Sequence, residues 1–221
     1  MPEQPHPAHA AGPPERGEQA GAEDAPRIAA MATGLGTAQR ELLTTLGGSE
    51  QVPNLFSTVS RNPELFTAWL PLCLHQLQSP EFSARHREIV ILRTAWLCGS
   101  RYEWGHHVSF GRRAGLTDEE IVRLAGGDRG DQWPDSDRAL LDAVDELHTG
   151  HTISAETWAV LATFLDVSAL IALPMLVGHY TLLANLLNSV AVAVDDSVPP
   201  ANLLIGWASD DKKEHSVCVS E

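Results

Sequence analysis

Between residues 101 and 110 the chain reads RYEWGHHVSF, and four groups able to move protons, Tyr102, Glu103, His106 and His107, fall within two helical turns. Residues four apart share a helix face, so Glu103 pairs with His107 and Tyr102 with His106. A carboxylate beside an imidazole can fix the ring in one tautomer and keep its titration near neutrality, which is what general acid/base catalysis needs. The same spacing also occurs in solvated pairs that do no chemistry. A second carboxylate, Glu88, stands in RHREIVILRTAWLCG at the edge of a strongly apolar run. It is either a half-buried partner of Arg85 or Arg87, or a carboxyl in an apolar cleft facing the next helix. His179 and Tyr180, in LVGHYTLLANLLNS, either fill the core or line a pocket, with Gly178 leaving room beside them.

Metal ligation would need three or four of Glu103, His106, His107 and His179 to converge. Adjacent histidines on a helix point about 100° apart, so no metal site is expected. Cys73, Cys98 and Cys218 form neither a disulfide framework nor a CxxC pair. Cys98 also falls at a helix C-terminus, where the dipole disfavours a thiolate, and is read as structural.

The elements that must hold these residues read as helices throughout, because apolar residues recur at three and four and no alternating strand pattern persists. Asn62-Pro63 opens a helix that Ser79-Pro80 closes, with Leu65, Phe66, Trp69, Leu70, Leu72, Cys73 and Leu77 expected on its buried side. Ser83 caps a helix over 83–98 that Gly99 ends, and the RYEWGHHVSF helix follows almost directly and ends at Gly115. Thr117 with Glu120 forms a capping box, and helices over 135–149 and 154–165 come next. The closing stretch SALIALPMLVGHYTLLANLLNSVAVAV is apolar almost all round, with Pro174 expected to kink or split it.

Composition narrows the class. With 221 residues, 43% of them hydrophobic, one folded domain over 28–208 is expected. Residues 1–27 and 209–221 lack the apolar side chains to offset ordering entropy and are expected to be disordered tails. The 15 basic against 29 acidic residues give a net charge of −14, which disfavours nucleic acid and anionic membranes as partners. No apolar run of spanning length or signal sequence is read, so a cytoplasmic protein is expected.

REIVILRTAWLCGSRYEWGHHVSFGRRAGLTDEEI resembles the carboxymuconolactone decarboxylase-like proteins, whose fold is the all-α alkylhydroperoxidase D-like helical bundle. The resemblance runs from about residue 50 to residue 195, with VGHYTLLANLLNSV similar to the family's closing helix. It implies that Glu88 is the family's carboxylate on the first motif helix and His107 the histidine ending the motif. Where the peroxidase branch has C-x-x-C-x-x-x-H, this chain has Ser100 and Glu103 in place of the two cysteines, which removes disulfide-cycling peroxidase chemistry from that site. Glu103 and His107 instead resemble the decarboxylase branch.

The resemblance therefore implies a cofactor-independent acid/base enzyme acting on a small carboxylated lactone or carbonyl compound by proton transfer, with or without decarboxylation. His107 would be the main acid/base, Glu103 its orienter and Glu88 a second proton carrier. Tyr102, His106, His179, Tyr180 and Arg101 would bind substrate, with Arg85 and Arg112 further candidates for holding an anion. Family members are homo-oligomers, commonly trimers or hexamers. An extra helical segment over about 127–165 departs from the compact decarboxylase pattern. Two other readings stay open: an alkylhydroperoxidase-type antioxidant protein using a non-standard cysteine, and a non-catalytic ligand-binding oligomer of the same fold.

Overall fold

The sequence places one helix, residues 84–97, where every face meets another element. In the computed structural model, which describes residues 26–28, 37, 52–127, 130 and 132–205, that helix is the hub. The helices are α1 (Asn54–Val59), α2 (Pro63–Gln78), α3 (Ala84–Leu97), α4 (Arg101–Arg113), α5 (Asp118–Gly126), α6 (Asp135–Gly150), α7 (Ala155–Leu161), α8 (Val167–Val190) and α9 (Pro200–Leu204), with no strand among the described residues. The expected tails lie outside the described residues except for Pro26 and Arg27, and the Arg27 amide donates to Val190 O at 2.9 Å.

α3 packs against α4, α5, α6 and α8. Every residue from Glu88 to Leu97 is buried, which is why the stretch is apolar on all sides and shows no polar face. Its neighbours each bury one stripe against it: Trp104 and Val108 from α4, Ile121 and Leu124 from α5, Leu140, Leu141 and Val144 from α6, and Leu173 and Leu176 from α8. Gly111 allows the close approach of α4, since a Cβ there would sit 3.1 Å from both Leu92 and Leu116. Gly105 does the same for α9, because a Cβ would meet Leu203 at 2.8 Å and Val198 at 2.9 Å.

Local signals set the helix starts. Asn62 accepts from the Leu65 amide at 3.1 Å, Ser83 from His86 at 3.1 Å, and Thr117 and Glu120 bond each other's backbone in a complete capping box. Three expectations need correction. Leu65, Leu72 and Leu77 are exposed, and α2 buries only the narrower stripe of Phe66, Leu70, Cys73 and Gln76. The helix expected over 154–165 stops at Leu161, and Asp166 then caps α8 through the Ala169 amide. Pro174 does not split α8, which runs unbroken over 24 residues with Pro174 on its exposed face.

α8 carries no charged residue and is long and apolar enough to cross a membrane by length and composition, although half of that span is buried within the fold. Its buried side includes Leu173, Leu176, Val177, His179, Tyr180, Leu183 and Ala184. Val167, Ile171, Met175 and Leu182 form an exposed apolar stripe along the other side.

A buried hub cannot leave a charge alone, and Arg93 shows how it is neutralised. Its guanidinium forks onto Asp145 of α6 at 2.7 and 3.0 Å and donates to the Leu124 and Ala125 carbonyls at the end of α5 at 2.8 and 3.2 Å. One side chain thus fastens three helices. Replacing Arg93 by Met strands the α5 carbonyls and the Asp145 charge, and should lower unfolding free energy by roughly 3–5 kcal/mol. Asp145→Asn, at a half-exposed position, should cost about 1 kcal/mol. Urea denaturation of the two variants checks the order.

Candidate active site

Glu88, in the first turns of α3, and His107, near the middle of α4, are brought together because the Cys98–Ser100 turn sends α4 back along α3. Gly99, with φ +61°, makes that turn possible. His107 Nδ1 stands 2.7 Å from Glu88 Oε2, and both side chains are buried, at 6% and 1% exposure. Arg87 donates Nε–H to the other oxygen of Glu88 at 3.0 Å and is itself held by the Gln78 carbonyl at 2.7 Å. Burial alone would push the Glu88 carboxyl up, but the His107 ring and the Arg87 guanidinium together outweigh it and hold it below the usual carboxylate range. An ionised carboxylate can only accept, so Nδ1 of a neutral His107 carries the proton and Nε2 presents its lone pair.

The His107 ring meets the edges of Tyr180 and Phe110, each at a centroid distance of 5.1 Å. Tyr180 in turn touches His179 at 5.7 Å, and His179 stacks on Trp69 of α2 at 6.3 Å with planes 14° apart. Burial, with the Glu88 carboxylate adding to it, keeps the Tyr180 phenol well above its ordinary value. Burial lowers His179 to about 4, so its ring is neutral at physiological pH.

Glu103 does not play the part its spacing suggested. The carboxylate within hydrogen-bonding distance of the His107 ring is Glu88, across the α3–α4 packing, and not Glu103. Both Glu103 oxygens are buried without a hydrogen-bond partner, and no cation faces them. Burial pushes its pKa up to about 8, opposed only by the nearby Ser100 hydroxyl, which does not reach hydrogen-bonding geometry. Two buried carboxyls on neighbouring helices are thus shifted in opposite directions, Glu88 down and Glu103 up.

The remaining expected residues separate into different surroundings. Tyr102 Oη donates to Asp195 Oδ2 at 2.5 Å, and His106 Nε2 reaches the same oxygen at 2.9 Å, while the Asn54 amide donates to Oδ1 at 2.8 Å. Tyr102 and His106 thus clasp the segment after α8 to the start of α1, facing away from His107. Arg101 is exposed at the start of α4. Arg85 is engaged by Glu120 and Asp137, and Arg112 by Asp118 and Asn202, so neither is left to hold an anion. Spacing gave no sign of Asp195 or of the place of Trp69 beside His179. Both arise from contacts across more than 90 residues.

Cys73 is buried, and desolvation raises its thiol to about 12. Cys98 lies 4.0 Å from His148 Nδ1 and 3.9 Å from Thr181 Oγ1; burial raises its thiol, Thr181 opposes and Glu103 adds to the rise. Among the described residues no three His, Cys, Asp or Glu side chains converge as metal ligands.

Glu103 makes stability depend on pH in a definite direction. Its folded-state pKa of about 8 lies above the unfolded value near 4.5, so the folded state retains a proton that the unfolded chain releases. The stability contribution is full below pH 4.5 and is lost as pH rises through 8. Glu103→Gln should flatten the decline of Tm between those pH values, as measured by thermal melts across the range.

Residues 63–146 match the model of the Carboxymuconolactone decarboxylase family, a span containing Glu88, Glu103 and His107 but not His179 or Tyr180. The match extends into α6, so the segment read as an addition from 127 begins inside the family region. No curated protein matches the chain. Among solved structures, the debrominase Bmp8 aligns with TM-score 0.62 at 16% identity, covering 80% of this chain and 95% of that one. An uncharacterised peroxidase-related protein from Silicibacter sp. TM1040 aligns with TM-score 0.64 at 14% identity, covering 77% and 94%. A protein of unknown function from Agrobacterium tumefaciens, named as a candidate antioxidant defence protein AhpD, aligns with TM-score 0.57 at 18% identity over 62% and 94%. These likenesses give the fold, an alkylhydroperoxidase D-like helical one, and the family match adds that residues 63–146 are similar to the Carboxymuconolactone decarboxylase family.

Proposed function

We propose that the chain is a cofactor-independent acid/base enzyme acting on a small carboxylated lactone or carbonyl compound. The observation that carries this reading is the buried Glu88–His107 pair at 2.7 Å, and the carboxyl of Glu103 on the same helix as His107, pushed up to about 8 by burial, supports it. Glu88 fixes the tautomer that leaves Nε2 of His107 free to take a proton from carbon next to a carbonyl. In a decarboxylation, the broken C–C bond releases carbon dioxide and leaves its electron pair in the conjugated carbonyl. A proton that Nε2 of His107 has first taken up from water, or the proton of Glu103, then reaches that carbon, and the donor regains its proton from water for the next turnover. Neither step needs a metal or a redox partner.

The exposed stripe of Val167, Ile171, Met175 and Leu182 supports the family's habit of self-association, since two acidic chains can approach there without opposing charges. Light scattering in solution should then give a mass above the monomer, and Met175→Glu with Leu182→Glu should lower it.

A second reading is supported by the debrominase likeness. A cysteine-to-alanine variant of Bmp8 has been crystallised with 2,3,4-tribromopyrrole, and it aligns with TM-score 0.58 at 17% identity, covering 85% of this chain and 97% of that one. Cys98, with an external thiol as the second electron donor, would be the residue to reduce a peroxide or a halogenated ring here. Burial works against it by keeping the thiol protonated.

The two readings part in one comparison: decarboxylation of 4-carboxymuconolactone and related lactones, followed with metal-free, thiol-blocked protein. Wild type should retain turnover after both treatments, and His107→Ala should lose about 10²–10⁴-fold. If Glu103 is the acid, the rate should fall as pH rises through about 8, and Glu103→Gln should abolish that limb. Turnover lost on thiol blocking, together with thiol-dependent peroxide consumption, would move the assignment to Cys98.

A further inference from the structure

Cys98 and His148 take no part in the Glu88–His107 arrangement, yet they stand 4.0 Å apart, Sγ to Nδ1. Cys98 caps the C-terminus of α3 and His148 lies in the last turn of α6, so the negative dipole ends of two helices meet at this pair. Thr181 of α8 flanks it, with Oγ1 3.9 Å from the sulfur. Both side chains are half-buried, which leaves the pair reachable from solvent. A bare thiolate is disfavoured there, because burial and, after it, the Glu103 carboxyl push the thiol up against the pull of Thr181. Arg93 is the nearby guanidinium, and Asp145 takes up its charge. The sulfur therefore keeps its proton or takes another cation in its place.

We propose that Cys98 and His148 form a two-coordinate site for copper(I), held in line between Sγ and Nδ1. A soft monovalent ion selects thiolate and imidazole ligands, and two of them in line satisfy it. Bonds of about 2 Å from such an ion to sulfur and to nitrogen span a gap close to the one present. Charge decides against a divalent ion. When Cu(I) replaces the thiol proton, the S–H bond breaks, S–Cu and N–Cu bonds form, one proton leaves to solvent, and the net charge of the site is unchanged. Nothing is oxidised or reduced. Zn(II) would add a positive charge and needs four ligands, whereas among the described residues no third His, Cys, Asp or Glu converges here. Burial lowers the His148 pKa, with Arg93 and His151 adding to the fall against Asp145, so the ring is neutral and Nδ1 can present its lone pair. The site is independent of proton transfer at His107, and either claim can fail alone.

The probe is Cu(I) itself, added without oxygen to the full chain in competition with a chromogenic Cu(I) chelator. Cys73 is buried with its thiol pushed up to about 12, and Cys218, outside the described residues, is replaced by Ser in every sample. This parent protein should retain one Cu(I) per chain, and an excess of Zn(II) should not displace it. Copper X-ray absorption should show two ligands, one sulfur and one imidazole nitrogen. Cys98→Ser should weaken retention roughly a hundredfold and His148→Gln about tenfold. The inference is overturned if the parent yields all its copper to the chelator, if either variant holds copper as tightly as the parent, if Zn(II) displaces it, or if the spectrum shows two sulfurs or more than two ligands. Circular dichroism checks that both variants fold; where one does not, the ligand types and number in the parent decide.

Discussion

A carboxylate cannot remain ionised inside a protein without compensation, and this constraint organises the molecule around α3. The helix is enclosed by four others, so every polar side chain it carries must find its partner inside the fold. Arg93 finds Asp145 and the carbonyls ending α5, and in doing so fixes the positions of α5 and α6. Glu88 finds His107 and Arg87, and so fixes the register of α4 against α3. The apolar contacts hold the helices together, while these two charged residues determine which turn of each neighbour lies opposite α3.

The same constraint gives Glu103 the opposite state. It is as thoroughly buried as Glu88, yet no basic side chain or amide reaches it, so burial, opposed only by the nearby Ser100 hydroxyl, pushes the carboxyl up to about 8. Two acids of one residue type thereby acquire complementary abilities, one as an acceptor that orients an imidazole and the other as a proton source. Environment rather than residue identity divides the labour. The His107 ring is packed against Tyr180, which touches His179 and through it Trp69.

Much of this was readable from the amino-acid sequence where the signals are local. The capping residues Asn62, Ser83 and Thr117 and the all-round apolar character of α3 gave the helices and their order. The motif residues Glu88 and His107 followed from the family resemblance. Partnership was harder to read. Spacing four residues apart paired Glu103 with His107, but a contact across the α3–α4 packing gave His107 to Glu88 instead. Tyr102 and His106 look like site residues because they sit beside Glu103 and His107 in sequence. A helix turns about 100° per residue, and that rotation delivers them to Asp195 on another side. Leu65, Leu72 and Leu77 look buried by type, yet α2 meets the fold along too narrow a stripe to cover them.

Glu88 and Glu103 should differ in protonation at neutral pH. Isotope-difference infrared spectroscopy of the ¹³C-glutamate-labelled protein at neutral pH measures this directly. A protonated-carboxyl band should be present, vanish in Glu103→Gln and persist in Glu88→Gln. A spectrum with no such band, or one whose band is lost with Glu88 and kept without Glu103, would contradict it.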